Sequence, residues 1–380
     1  MAIFKKKQFE ELAEEKGKYC ISIYIPTQRQ GENKESKIYL KNKIAGAEKE
    51  LADFGLKQKE IDEYLKPLKE LHEDVNLWRH LSDALVVFSS KNRFEYHTLP
   101  IDVDDFLLVS DRFYVLPLID LFNQNRLFYI LSLSQKKNRL YEATRHEIAE
   151  IDVDDIFPET IYDSVGYDVE QKSLQMRGEQ SGTEGTAMYH GKGEGKDDKN
   201  KEVIKYLEDV DKGLNNLLED SEIPVVVAAV DDIFGQFKKI SNYKNIFSKN
   251  VPGNYDDEDI VGVHEKALGI LVPYLEQIKN EKKEKYSQAI GKTSASLEDI
   301  VVSADAGKID TLFVAKGEHI WGTYKRDEGT IDKHEEKQKL DICFIDFAAR
   351  NTFMKSGKVF IEEQEHLPEN TAPVNAVFRY

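Results

Sequence analysis

Eight consecutive residues, IPVVVAAV from Ile223 to Val230, carry no charged or hydrogen-bonding side chain. A run this short cannot cross a membrane, which takes roughly twenty apolar residues in a helix. A strand with one wet face would alternate polar and apolar positions, and this one does not. The run therefore reads as a buried strand in a sheet with helices packed on it. Its neighbours agree. KEVIKYLEDVDKGLNNLLED precedes it, with Val203, Leu207, Val210, Leu214 and Leu217 recurring at helical spacing, and DDIFGQFKKIS follows as a second helix. Upstream, RLFYILSLSQ reads as a strand, and NRLYEATRHEIAEI as a paired strand leading into a turn.

The same grammar extends over the flanks. YCISIYIP is a strand, and SKIYLKNKIAGAEKELADFG a helix with Ile38, Leu40, Ile44, Ala47 and Leu51 at helical spacing and Gly55 at its stop. A helix over about 59–72 follows, then strands at ALVVFSS, FEYHTL, DFLLVSDRF and VLPLID. After the break SKNVPGNYDDED comes a long helix from Ile260 to about Lys285. Next come helix, Gly307 and strand in SASLEDIVVSADAGKIDTLFVAK, then strand, helix and strand in LDICFIDFAARNTFMKSGKVFIEE. PVNAVFRY is a closing strand. This alternation predicts α/β architecture, with a largely parallel sheet in the last part. At 380 residues the chain has material for two or three domains. We place them at 1–122, 123–250 and 251–380.

The formal net charge is −17, which argues against indiscriminate nucleic-acid binding and leaves room for a lysine-bearing tip. The N-terminal residues have no apolar segment of the secretory kind, so a cytoplasmic protein without membrane contact is expected. Cys20 and Cys343 lie far apart in apolar runs and read as buried thiols, with no zinc spacing.

Between Asp163 and Lys201 the periodicity breaks down for about forty residues, which points to a functional loop or to disorder. Its end, YHGKGEGKDDKNK, has Gly191, Gly193 and Gly195 on alternate positions, then almost only charge. Three glycines this close do not suit a helix and allow a thin, adaptable backbone. Lys192, Lys196, Lys199 and Lys201 are candidate phosphate contacts, although Glu194, Asp197 and Asp198 offset much of their charge. The P-loop and dinucleotide spacings are both absent. His190 has no partner named by the sequence, and a structural role is the simpler reading. NYDDEDI suits a helix N-terminus. The two DVDD runs lack the features of a calcium loop and read as turns. No serine lies in a G-x-S-x-G elbow. No cofactor and no metal site is expected.

The block YHGKGEGK, the helix after it and IPVVVAAV together resemble the middle domain of archaeal and eukaryotic class I peptide release factors. Those proteins carry His-Gly-Arg-Gly-Gly-Gln before their helix. ASLEDIVVSADAGKIDTLFVAK and APVNAVFRY are similar to their C-terminal domain. YCISIYIPTQRQGENKESKIYLKNKIAGAEKEL with NLWRHLSDALVVF is similar to the bacterial archaeo-eukaryotic release factor-like proteins. The resemblance implies three domains, an RNase H-like middle domain and an α-β-α sandwich at the C-terminus. It implies a ribosomal role of the release, rescue or hibernation type, with the loop docking toward the peptidyl transferase centre. The partners implied are ribosomal RNA, the tRNA end and a translational GTPase. On this reading His190, Gly191, Lys192, Gly193, Gly195, Lys196, Lys199 and Lys201 contact RNA. The pattern departs at one place: Glu194 stands for the second motif glycine and Gly195 for the glutamine that assists ester hydrolysis. Gln180, His190 and Glu194 are the substitute candidates if the protein is a peptidyl-tRNA or other ester hydrolase. Pelota, the rescue relative, also lacks that glutamine. A scaffold of the same fold without a ribosomal role is the third alternative.

Overall fold

The structure is a computed structural model that describes residues 4–29, 33–122, 127–134, 136–145, 148–154, 156–165, 194–218, 223–256, 260–289, 291–339 and 341–380. It forms two units, one from residues 1–126 and 276–380, the other from residues 127–275.

In the first unit every residue from Tyr19 to Ile25 is buried, so strand β1 (Lys16–Pro26) is packed on both sides. It pairs antiparallel with β2 (Ala84–Ser89) and β4 (Phe106–Arg112), and β3 (Phe94–Leu99) extends the sheet to the order β3-β2-β1-β4. On one side Ile21, Ile23 and Ile25 meet Leu40, Ile44, Ala47 and Leu51 of α2 (Lys34–Asp53) and Leu65 and Leu68 of α3 (Gln58–Glu73). Ile38 is 57% exposed. Two positions from Leu40 are about 200° around a helix, so Ile38 falls on the opposite face. Gly55, at φ +88°, ends α2 as expected, with the Leu56 amide donating back to the Leu51 carbonyl at 3.2 Å.

On the other side of β1, the Ser22 hydroxyl accepts from the Tyr114 amide at 2.9 Å, and the Tyr24 hydroxyl donates to the Tyr114 carbonyl at 2.6 Å. The run VLPLID, expected as a strand, lies across helix α4 (Leu116–Phe122). Its cause sits far along the chain. One carboxylate oxygen of Asp346 accepts from the amides of both Val115 and Leu116 at 2.8 Å. These are first-turn amides of the kind a helix cap satisfies, and a short apolar run does not by itself decide between strand and helix. Asp346 lies in α10 (Phe344–Met354), 3.4 Å from the Arg350 guanidinium, with both side chains buried. Burial pushes the Asp346 carboxyl up, against the pull of Arg350 and the two amides. Close by, Phe9 of α1 (Lys6–Glu14) meets Phe353 and Phe122 edge-on, with ring centres at 5.0 and 5.6 Å.

The C-terminal part of this unit holds β10 (Thr293–Ser294), β11 (Ile309–Ala315), β15 (Lys358–Glu362) and β16 (Val374–Phe378) in the order β10-β16-β11-β15. Helices α9 (Leu297–Asp305) and α10 pack on β11. The β11–β15 pair is parallel and the other two pairs are antiparallel. The largely parallel sheet read from the sequence is therefore not what forms. Residues 363–373 return from β15 to β16 without the α-helical crossover that a parallel neighbour usually has. A small antiparallel sheet of β12 (Trp321–Lys325), β13 (Thr330–His334) and β14 (Ile342–Cys343) completes the part.

In the second unit β5 (Phe128–Ser132), β6 (Arg139–Ala143) and β7 (Ile148–Ile151) pair antiparallel. Then β8 (Val225–Ala229) and β9 (Val251–Pro252) join on the other side of β5, parallel to it, for the order β7-β6-β5-β8-β9. Residues 223–229 are buried throughout, as their uniform apolarity requires. Phe128, Ile130, Val226 and Ala228 pack with Val263, Ala267, Leu271 and Leu275 from α8 (Ile260–Gln288). Leu207, Val210 and Leu214 of α6 (Glu194–Leu217) are fully buried. Leu217 is only partly buried, and Leu218 takes the inward position instead. Among the described residues, helices α5 (Ile161–Val165) and α7 (Asp231–Ile240) also belong to this unit.

Asp346→Ala removes the partner of a buried guanidinium and of two amides at once, and is expected to cost roughly 3–5 kcal/mol. Urea denaturation of the purified variant measures it.

Candidate functional site

The glycine-rich stretch connects α5 to α6. Gln180, Tyr189, His190, Gly191, Lys192 and Gly193 lie outside the described residues. The sequence reading carries the loop on to Lys201, but α6 begins at Glu194, so the backbone of Gly195, Lys196, Lys199 and Lys201 is helical. The side chains of residues 194–199 again lie outside the described residues. The difference has a physical source: Glu194, Asp197 and Asp198 fall in the opening turns, where the helix end favours carboxylates. A single glycine there costs only about 1 kcal/mol. Lys201, two turns in, is exposed.

The folded residues flanking the stretch are held by a few polar side chains. After β5 the chain turns at Ser134, whose hydroxyl accepts from the amides of Lys136 and Lys137 at 3.0 and 2.9 Å. Asn138 closes this turn, accepting from the Ser134 amide at 3.3 Å. Its side-chain amide donates to the Pro158 carbonyl at 2.9 Å, and its backbone amide to the Glu159 carbonyl at 2.7 Å. That fixes the segment leading into α5. Asp163 then accepts from the amide and the hydroxyl of Thr160 at 2.7 and 2.8 Å. On the other flank, the Tyr206 hydroxyl of α6 donates to the Ser134 carbonyl. Burial pushes that phenol well up, so it stays protonated and remains a donor.

Two further residues seat α6. A Cβ on Gly213 would lie 2.3 Å from the Ile156 carbonyl oxygen and 2.7 Å from Phe157 Cβ, so glycine is what allows the close approach. Asp211, 3% exposed, accepts from the Ser241 hydroxyl at 2.6 Å and from the amide and side chain of Asn242 at 3.0 and 2.9 Å. The C-terminal ends of β5 and β9 meet at Asp256, which accepts from the Ser134 hydroxyl and, through its carbonyl, from Arg139 at 3.3 Å. Asn254 in turn accepts from the Asp256 amide at 3.1 Å. Sequence reasoning missed this set. Asp211 had a visible signal, since it sits on the apolar stripe of its helix, four residues after Leu207. Asn138 had none.

The described residues hold no group of three or more His, Cys, Asp or Glu side chains able to take a metal ion. Both cysteines are buried, as expected, and desolvation pushes each thiol up to about 12. Neither supplies a thiolate near neutral pH. Among the described residues, no helix is long and apolar enough to cross a membrane.

Residues 128–273, which span the sheet, α6 and both flanks of the stretch, match the model of Bacterial archaeo-eukaryotic release factor family 7. This segment is release-factor-like. Among solved structures, the archaeal translation termination factor aRF1 is 14% identical, with 99% of each chain covered and a TM-score of 0.27. Dom34 of S. cerevisiae, described as a translation termination-like factor, is 10% identical, with 78% of this chain and 79% of that one covered and a TM-score of 0.37. Archaeal Pelota in a ribosome-bound model with ABCE1 is 13% identical, with 99% and 95% covered and a TM-score of 0.36. No curated protein matches.

Two outcomes follow for the release-factor-like segment and the thiols. Gly213→Ala forces α6 off Ile156 and is expected to cost roughly 1–3 kcal/mol, with earlier protease cleavage of the native protein. With thiols near 12, roughly one sulfur in ten thousand is ionised at pH 8, so iodoacetamide should label Cys20 and Cys343 only after denaturation, as read by mass spectrometry.

Proposed function

We propose that the protein is a ribosome-associated translation factor of the release, rescue or hibernation type, and that its glycine-rich stretch docks toward the peptidyl transferase centre. One observation carries this: the family match over residues 128–273 brackets YHGKGEGK and the helix and buried strand that follow it. The three-domain division at 1–122, 123–250 and 251–380 belongs to the same proposal. So does the RNase H-like reading of the middle domain, which the order β7-β6-β5-β8-β9 supports. His190, Gly191, Lys192, Gly193, Gly195, Lys196, Lys199 and Lys201 are the proposed RNA contacts. Asn138 and Tyr206 support the reading by fixing the folded flanks, so that one body would present both ends of the stretch. A translational GTPase is the proposed delivery partner. With Gly195 in the place of the glutamine, the stretch docks without cleaving.

The test is co-sedimentation with purified ribosomes across a salt series. Replacing Lys192, Lys196, Lys199 and Lys201 with alanine should weaken binding and lower the slope of log K against log salt by about three. Unchanged sedimentation would refute the docking role. Peptidyl-tRNA added to the wild-type complex should stay intact. Release that depends on Gln180, His190 or Glu194 would instead establish the hydrolase.

A further inference from the structure

In the C-terminal sheet four neighbouring strands end at one edge, and each brings a cation there. Lys292 precedes β10, Arg379 follows β16, Lys308 precedes β11, Lys355 caps α10 three residues before β15, and Lys358 is the first residue of β15. The strand order β10-β16-β11-β15 sets Lys292, Arg379 and Lys308 side by side with Lys355 next to Gly307, while Lys358, opposite Thr311, stands about 10 Å further along β15. At about 4.8 Å per strand the row spans about 15 Å. Hydrogen bonds confirm the alignment: the Phe378 amide donates to the Lys292 carbonyl and the Arg379 amide to the Lys308 carbonyl, each at 2.8 Å.

The ordinary explanation is that lysines gather where helices end, because exposed carbonyls attract them. Two members of the row do that work. The Lys355 ammonium donates to the Ala304 carbonyl at 3.2 Å and also to that of Asp305, at the end of α9. The Arg379 guanidinium donates to the Ile309 carbonyl at 3.1 Å and to that of Lys355. Lys292, Lys308 and Lys358 do not. All three are exposed, and among the described residues their ammonium groups have no hydrogen-bond or ion-pair partner. Two carboxylates of this part, Asp305 and Asp310, are already matched. Asp305 holds Arg326, whose Nε lies at 2.6 Å, and Asp310 lies between Lys285 at 2.9 Å and Lys282 at 3.6 Å. The edge is thus cationic on a chain of net charge −17. The three unpaired ammonium groups belong to positions about 10 Å apart, where salt screens most of their mutual repulsion, and each is left available to a phosphate.

We infer that this edge is a second RNA contact, separate from the glycine-rich stretch, and that it grips the sugar–phosphate backbone without reading bases. It deepens the ribosomal reading above and rests on it for the identity of the RNA. The experiment uses the full chain carrying K292Q, K308Q and K358Q together. As a control, K59Q, K66Q and K69Q are combined on α3, where exposed lysines alternate with Asp62, Glu63 and Glu70. Both should melt like the wild type. Binding is measured to purified ribosomes, to a fluorescent RNA duplex and to phosphatidylserine vesicles over a salt series.

The row variant should bind RNA at least tenfold more weakly, with a salt slope lower by about two to three, while the control is unchanged. Unchanged RNA affinity and slope in the row variant overturn the inference. Equal losses in the two variants overturn it as well, since only total charge would then matter. Vesicle binding that depends on the row while RNA binding does not would assign the edge to a membrane surface. If the wild type fails to bind ribosomes yet loses duplex binding with the row, the ribosomal reading falls and this surface stands. If ribosome binding persists while duplex binding ignores the row, the reverse holds.

Discussion

One carboxylate joins the two ends of this chain. Asp346 is buried and accepts two amides, one of them from Val115, 231 positions earlier. In a low-dielectric interior such a group must be fully satisfied, and its hydrogen bonds are directional. The arrangement of α10 against the start of α4 is therefore set by geometry as well as by hydrophobic burial. Other contacts lie around it. His319 is stacked between Phe106 and Trp321, with ring centres at 4.7 and 5.5 Å, and burial holds its imidazole below the usual value. Lys316 pairs with Asp102 at 2.8 Å and Lys337 pairs with Glu50. Exposed pairs of this sort add little on their own.

In the middle unit the corresponding constraint is the seating of α6. Leu207, Val210 and Leu214 give it an apolar face, but its depth is set by Gly213 and its position by Asp211 and Tyr206. These groups concern the folded body and involve no exposed charge. The cations proposed as RNA contacts are other residues, in the glycine-rich stretch and on one sheet edge. The scaffold and the proposed docking surface can thus be altered separately.

Much of the fold was legible because burial writes itself as apolar runs. IPVVVAAV and YCISIYIP are both strands, and Gly55 and Gly307 both take positive φ where they end helices. What escaped was non-local. VLPLID is helical at a site whose amides are capped from residue 346. The C-terminal sheet is mixed because of how 363–373 reconnects its strands. Ile38 was assigned to the wrong face on spacing that its own angle contradicts. The stretch proposed as the site reads in the sequence as glycines and lysines ahead of a helix, and that helix starts at Glu194, earlier than the spacing predicts. The cationic edge was invisible, since each lysine stands alone in sequence and strand pairing alone makes neighbours of them.

The middle unit interrupts the other one, which is begun by residues 1–126 and finished by residues 276–380. Synthesis runs in that order. The side of β1 that carries Ser22 and Tyr24 is made early, while Asp346 and Phe353, which close the region around it, come near the end. The nascent chain therefore completes its inserted unit first and carries a half-covered sheet meanwhile. A product that stops just after α8, near residue 289, would hold all the strands of the middle sheet and an unsealed beginning.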